Sequence, residues 1–389
     1  MRLEAEWLDA ENLREVIAAL GGETYFVGGC VRNTLLGEPV SDIDLTTPTR
    51  PDEVARRLEA AGITVKPTGI EHGTVMAIVG HQGFEVTTFR ADVSTDGRRA
   101  TVRFSDDIAE DAARRDFTMN AVYARPDGEI VDPLGGLPDL LARRVRFIGA
   151  AEARIREDYL RILRFFRFSA WYGGENGIEA WGLAACAALA DGIDGLARER
   201  IGAEVKKLLG APDPAPAVAA MAASGILMRC LPGADPALLA PLVHVEGLAG
   251  AAPDWRARLV ALGGEDPAGR LRLSRAEARD LEAIRGALAE PRPPAEAAHL
   301  LGPDVARTAA LIRAAGSAER DGLDGLEAEL ARGAAAEFPL KAEDLIAAGM
   351  RPGPGLGQAL NQARNAWLES GFTLDRAALV GAAMEGGEV

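Results

Sequence analysis

A chain of 389 residues is too long for one compact core and should divide into two to four domains. With 48% hydrophobic and 26% charged residues it has an ordinary soluble composition, and no apolar run approaches the length of a membrane span, which excludes a membrane-spanning protein. A net charge of −15 argues against a uniformly basic nucleic-acid binder but leaves room for a local basic surface, because binding depends on where the positive charge sits.

The N-terminal stretch MRLEAEWLDAENLREVIAAL is an acidic amphipathic helix pattern without the basic start and apolar stretch of a signal peptide. Cys30, Cys186 and Cys230 are widely spaced and show no paired ligand pattern, which suits a reducing cytoplasm. In chain order, residues 11–20 read as a helix and Tyr25–Val27 as a short buried strand running into Gly28 and Gly29. Residues 30–36 reopen as a helix, and Ile43-Asp44-Leu45 reads as a strand between turn signals, on which Asp42-Ile43-Asp44 sits. A helix over 51–61 begins at Pro51, a favoured first-turn residue. Val75–Val79 and Phe84–Phe89 read as two strands joined by a glycine-containing turn. From about residue 151 the pattern becomes Ala, Leu and Arg at helical spacing, and strand patterns nearly vanish. Proline and glycine clusters near 211–215, 232–236, 291–294 and 351–357 punctuate the helices. The reading is an α+β protein with a mixed head at 1–148, followed by a helical neck at 149–212, body at 213–316 and tail at 317–389.

Residues two apart on a strand face one side, so Asp42 and Asp44 present two carboxylates to one place. Such a pair repels unless a cation lies between, and hard oxygen ligands suit Mg²⁺, which keeps water and substrate phosphate as its other ligands. On its own this Asp-x-Asp would be a solvated surface feature. Glu85, alternating with apolar neighbours on its strand, is a candidate third carboxylate. A two-metal site of this kind serves phosphoryl transfer. Upstream, Val27-Gly28-Gly29-Cys30-Val31-Arg32 is a strand, a glycine pair and a helix start, where backbone amides and a fixed cation meet an anion.

The segment YFVGGCVRNTLLG followed by SDIDLTT resembles the nucleotidyltransferase signature of the polymerase-β superfamily, and more narrowly that of class II CCA-adding enzymes and their bacterial poly(A) polymerase relatives. The resemblance continues through EVTTFR at 85–90, RRDFTMNA at 114–121, DPLGG at 132–136, EDYLRILRFFRF at 157–168 and RERIGAEVKKLL at 198–209. It implies a polymerase-β-like head in which Asp42 and Asp44 bind catalytic Mg²⁺ with Glu85 beside them. Gly29 and Arg32 would hold the nucleotide's phosphates, and Arg115 and Asp116 would contact the nucleotide, Asp116 through the ribose 2′-hydroxyl. The implied activity is addition of CCA to the 3′ end of tRNA from CTP and ATP. A poly(A) polymerase or a partial CC- or A-adding enzyme is the near alternative, and an inactive RNA-binding protein of the same fold is the alternative from another class. The chain departs from the family at Asn33, where Asp is usual; Asn keeps the size and the carbonyl but drops a charge, so an Asn33→Asp exchange should retain activity.

Asp158 and Arg161 lie three apart on an expected helix, hence on one face. Cytosine and adenine each place an amino donor beside a ring-nitrogen acceptor, which a carboxylate and a guanidinium match. Uracil and guanine present the opposite order, and leaving such groups unpaired costs about 1–3 kcal/mol each. The resemblance assigns these two positions the same role, with Arg164 and Arg167 continuing the face toward base or triphosphate. The bland reading is an Asp158–Arg161 salt bridge within the helix. Eight arginines between Arg143 and Arg167 form a local basic stripe. His72 reads as structural, and the glycines and prolines before a helix starting near Leu356 read either as an RNA-phosphate contact or as a simple turn.

Overall fold

The computed structural model describes residues 1–69, 73–96, 99–175, 177–317 and 323–385. The chain folds into two compact units. One comprises Met1–Ala234 with Gly264–Asp266 and Arg270–Arg272, the other Asp235–Gly263, Pro267–Gly269 and Leu273–Val389.

The first unit opens with α1 (Glu11–Leu20), which buries Leu13, Val16 and Leu20 at the spacing of one helical face. Strand β1 (Tyr25–Val27) is buried throughout. The chain then turns at Gly28, whose φ of 73° lies where a side chain is strained, into α2 (Gly29–Leu36), closed by a left-handed Gly37. Strand β2 (Asp44–Thr47) begins at Asp44, so Asp42 precedes the strand and does not lie on it as expected. Helix α3 (Pro51–Ala60) has proline in its first turn. Strands β3 (Thr64–Gly69), β4 (Thr74–Val79) and β5 (Gln82–Thr88) follow.

Strands β6 (Arg90–Asp96) and β7 (Arg99–Phe104) form a separate antiparallel pair. Helix α4 (Ile108–Ala113) leads to β8 (Tyr123–Ala124), β9 (Ile130–Val131) and α5 (Leu137–Leu141). The remaining seven strands join one sheet of order β3-β4-β5-β2-β1-β8-β9, in which β2 and β5 are parallel and the other pairs antiparallel. Beyond Val131 the described residues contain no further strand, as the change of periodicity near 151 implied. The helices that come next are α6 (Ala151–Glu157), α7 (Leu160–Tyr172), α8 (Ala180–Ala188) and α9 (Arg198–Leu209).

An aromatic cluster fixes α7 against the segment after α4. Phe117 lies 5.0 Å from both Phe147 and Phe168, and Phe147 stacks on Phe165 at 5.4 Å. Such pairs are worth about 0.5–1.5 kcal/mol each beyond their buried area. They set the polar side of α7 next to Arg114-Arg115-Asp116.

The second unit is helical. One cluster gathers Leu242, Val245, Ala257, Ile284, Leu311 and Leu330, and another centres on Leu345, Ala363, Trp367 and Leu379. Buried within the unit is an ion pair, Arg258–Glu246 at 2.7 Å.

Candidate active site

The strand-to-helix turn supplies the first wall. Gly28 and Gly29 bring bare backbone to the start of α2, where the first helical amides have no intrahelical acceptor and attract an anion. One turn on, Arg32 is nearly buried. Its Nε and Nη2 donate to Asn33 Oδ1 at 3.1 and 2.8 Å, its Nη1 to Asn120 Oδ1 at 2.6 Å, and its Nη2 also to the Tyr172 hydroxyl at 2.7 Å. The guanidinium carbon lies 3.9 Å from the centre of the Tyr172 ring. Burial lowers the pKa of Arg32, although a guanidinium stays charged.

The Arg114-Arg115-Asp116 segment forms the second wall and hangs on Asp111. This fully buried carboxylate accepts from Arg114 Nε at 3.0 Å, Arg115 Nη2 at 3.0 Å, the Tyr123 hydroxyl at 2.8 Å and the Arg90 amide at 3.2 Å. Burial alone would raise its pKa, but the two guanidinium groups and the tyrosine outweigh it and hold the group at about 2. Asp116 is similarly saturated: its Oδ1 accepts from the Phe117 amide and Asn120 Nδ2, both at 2.9 Å, and its Oδ2 from Arg164 Nε at 2.7 Å and from Arg164 Nη2. Burial works against the Asp116 charge, yet Arg164 and Asn120 leave its pKa lowered.

The third wall departs from expectation. Asp158 and Arg161 do not share a helix. Asp158 ends α6 in an extended conformation and its Oδ1 accepts from the Leu160 amide at 3.1 Å, capping the start of α7. Nor do the two side chains pair with each other. Asp158 Oδ2 accepts from Arg200 Nη2 of α9 at 2.7 Å, while Arg161 pairs with Glu157 and donates to the carbonyls of Arg154 at 2.9 Å and Arg114 at 3.2 Å. Arg167 is committed to Glu204 at 2.6 Å. The basic stripe is therefore largely ion-paired and not an open cationic face; Arg154–Glu157 and Arg146–Asp139 continue the pattern.

Gly28, Gly29, Arg32, Arg115, Asp116, Asn120, Asp158, Arg161, Arg164 and Arg200 line a single cavity of about 410 Å³, with Leu160 and Phe168. Arg167 is not part of that lining. Of the acidic candidates, Asp44 and Glu85 lie on neighbouring strands, where parallel pairing sets them opposite each other, and Asp42 lies just before the first of these strands. Burial, and then repulsion from Glu85 and Asp42, push the Asp44 carboxyl up to about 6, against a smaller pull from Arg115. The raised value marks a patch short of counter-charge. Among the described residues no group of three or more His, Cys, Asp or Glu side chains is gathered to enclose a metal by itself. Asp42 and Asp44 suit a cation that takes one or two carboxylates and completes its shell with water and phosphate, as Mg²⁺ does.

Known proteins share this arrangement of elements. Residues 24–146 match the poly(A) polymerase head domain, and residues 178–238 match the family described as the probable RNA and SrmB-binding site of polymerase A. The chain is 42% identical over 209 residues to a CCA-adding enzyme of Leuconostoc citreum, covering 53% of this chain and 50% of that one. It is 41% identical over 206 residues to the mitochondrial CCA tRNA nucleotidyltransferase 1 of Homo sapiens, covering 51% and 46%. The matched region spans about half the length of these curated relatives. Along nearly the whole chain, 96% of each, it resembles the crystal structure of the Bacillus stearothermophilus CCA-adding enzyme in complex with CTP, at 30% identity and a TM-score of 0.75. The chain belongs to the tRNA nucleotidyltransferase/poly(A) polymerase family.

Two polar cavity members were not singled out in the sequence: Asn120 and Arg200. Both sit inside motifs that were already legible, in RRDFTMNA and RERIG. The missing signal was three-dimensional, since Arg200 meets Asp158 from 42 residues further along the chain. His72 lies outside the described residues. The C-terminal helix expected near Leu356 spans Pro354–Glu369 and starts without a side-chain cap. No helix among the described residues is long and apolar enough to cross a membrane.

Proposed function

We propose that this chain is a template-independent tRNA nucleotidyltransferase that builds the 3′-terminal CCA of tRNA from CTP and ATP, releasing pyrophosphate. The observation that carries the reading is the single cavity uniting a glycine-and-arginine anion cradle with Asp158 and Arg161. Its likeness over 96% of the chain to a CCA-adding enzyme solved with CTP supports it.

In this reading the head at 1–148 binds and positions the reacting groups, and the neck at 149–212 reads the base. The amides at the start of α2 and the Arg32 guanidinium hold the triphosphate. Arg115, kept in place by Asp111, adds charge from the opposite wall, and Asp116, whose acceptor positions are taken by Phe117, Asn120 and Arg164, meets the ribose by giving up one of these partners. Asp42 and Asp44 would hold Mg²⁺, with Glu85 completing the acidic patch. When bound, that ion stabilises charge on the transferred phosphoryl group. The tRNA 3′-hydroxyl attacks the α-phosphate, and the bond to pyrophosphate breaks. Body (213–316) and tail (317–389) would carry the rest of the tRNA.

Base choice follows from the third wall. With Arg200 on one Asp158 oxygen and the Leu160 amide on the other, the carboxylate is held in place and keeps lone pairs for an exocyclic amino group. Arg161, steadied by Glu157 and two carbonyls, keeps donors for a ring nitrogen. Asp158→Ala should erode the preference for C and A over U and G as well as the rate, read by single-nucleotide incorporation into tRNA transcripts. An equal slowing with all four nucleotides would remove the base-reading role.

A further inference from the structure

Four of the five arginines that line the cavity meet a carboxylate: Arg115 with Asp111, Arg161 with Glu157, Arg164 with Asp116, and Arg200 with Asp158. Arg32 is the exception among the described residues. Every acceptor that holds it is neutral: the amide oxygens of Asn33 and Asn120 and the hydroxyl of Tyr172. Asn33 has a second attachment, donating from Nδ2 to the Pro39 carbonyl at 2.7 Å, in the segment that leads to Asp42. One side chain thus ties the guanidinium to the loop before the acidic patch without cancelling its charge.

We infer that Asn33 is a positioning residue that holds Arg32 without a carboxylate bonded to it, so that the arginine's charge stays available to the nucleotide's phosphates. This rests on reading the cavity as a triphosphate site. A carboxylate held in the same pose at position 33 would accept Nε and Nη2 on the oxygen that now accepts both and would offset the charge. It would also lose the Nδ2 donor and set an oxygen against the Pro39 carbonyl. Asn and Asp are nearly the same size, so the exchange should be tolerated by the fold while changing how firmly phosphate is held. Asn33 is half-exposed, which likewise favours folding of its variants.

Titration of the full chain with inorganic tripolyphosphate, at low and high KCl, tests the inference. Asn33→Asp should bind about 3- to 10-fold more weakly than the parent, the scale of one partly screened charge. Its affinity should also depend less on salt. Asn33→Ala loses the alignment but not the cation, so it should bind more tightly than Asn33→Asp and keep the parental salt dependence. A mere structural role predicts the reverse order, because alanine removes both attachments. Asn33→Asp binding as tightly as the parent, Asn33→Ala weaker than Asn33→Asp, or no binding by the parent would each overturn the inference. Nucleotide addition to tRNA is scored separately. Tripolyphosphate binding in the expected order, without any addition, keeps this inference and sinks the proposed function.

Discussion

Asp111 shows how much one buried side chain decides. It does not stand out in the sequence, because an acid beside Glu110 and four residues before Arg115 looks like ordinary helix surface. In the fold it is fully buried and orients both arginines of the Arg114-Arg115-Asp116 motif. Removing one partner of such a buried pair costs about 3–5 kcal/mol, so Asp111→Asn should lower the unfolding free energy in urea by that order. The pH dependence follows from the depressed pKa, about 2 in the fold against an ordinary 3.8. Stability from this ionised carboxylate is fully present above about pH 4 and is lost as the pH falls toward 2. The parent should therefore lose stability over that window, and Asp111→Asn should show a flatter acid limb; identical limbs would contradict this role. Residue identities in the cavity were legible because chemistry of this kind needs recognisable side chains. Their partners were not, since Asp158 finds Arg200 and Arg167 finds Glu204 only through tertiary packing.

At the level of elements, helices with a clear apolar face were placed closely: the expected 11–20 and 51–61 match Glu11–Leu20 and Pro51–Ala60 within a residue. Ends set by side-chain caps were not. The break at Asp158 follows from its side chain bonding the Leu160 amide, which competes with continuing the helix from α6. On the approach to β2 the Ser41 hydroxyl donates to Asp42 at 2.8 Å. Helix α9 illustrates a constraint that only packing reveals. A Cβ at Gly202 would lie 2.0 Å from the Leu271 carbonyl oxygen, a backbone atom with little room to yield. Arg200 and Glu204 flank this contact and pair with Asp158 and Arg167. Gly202→Ala should therefore cost at least about 1–3 kcal/mol of stability by overpacking. It should also weaken CTP binding, because the helix that steadies Asp158 must shift. Calorimetric CTP affinity and urea unfolding check both halves, and an unchanged affinity would uncouple α9 from the base-reading wall.

For the whole molecule, a charge of −15 and a cavity lined by five arginines are reconciled by pairing. Most arginines of the Arg143–Arg167 stretch are spent on neighbouring carboxylates, so positive charge is concentrated at a few positions such as Arg32 and not spread over a face. The α+β head and the helical remainder were readable from the change in hydrophobic period, whereas the division into two compact units depends on packing between segments distant in sequence. The central claim, that one protein cavity selects C and then A without a template, is tested most directly by incorporation with purified protein and Mg²⁺. The substrates would be tRNA transcripts ending before CCA, after C and after CC, with each nucleotide supplied alone and in pairs. The predicted result is completion to CCA from CTP and ATP followed by arrest, and no extension with UTP or GTP. Long runs of A, or addition that ignores the identity of the base, would contradict it.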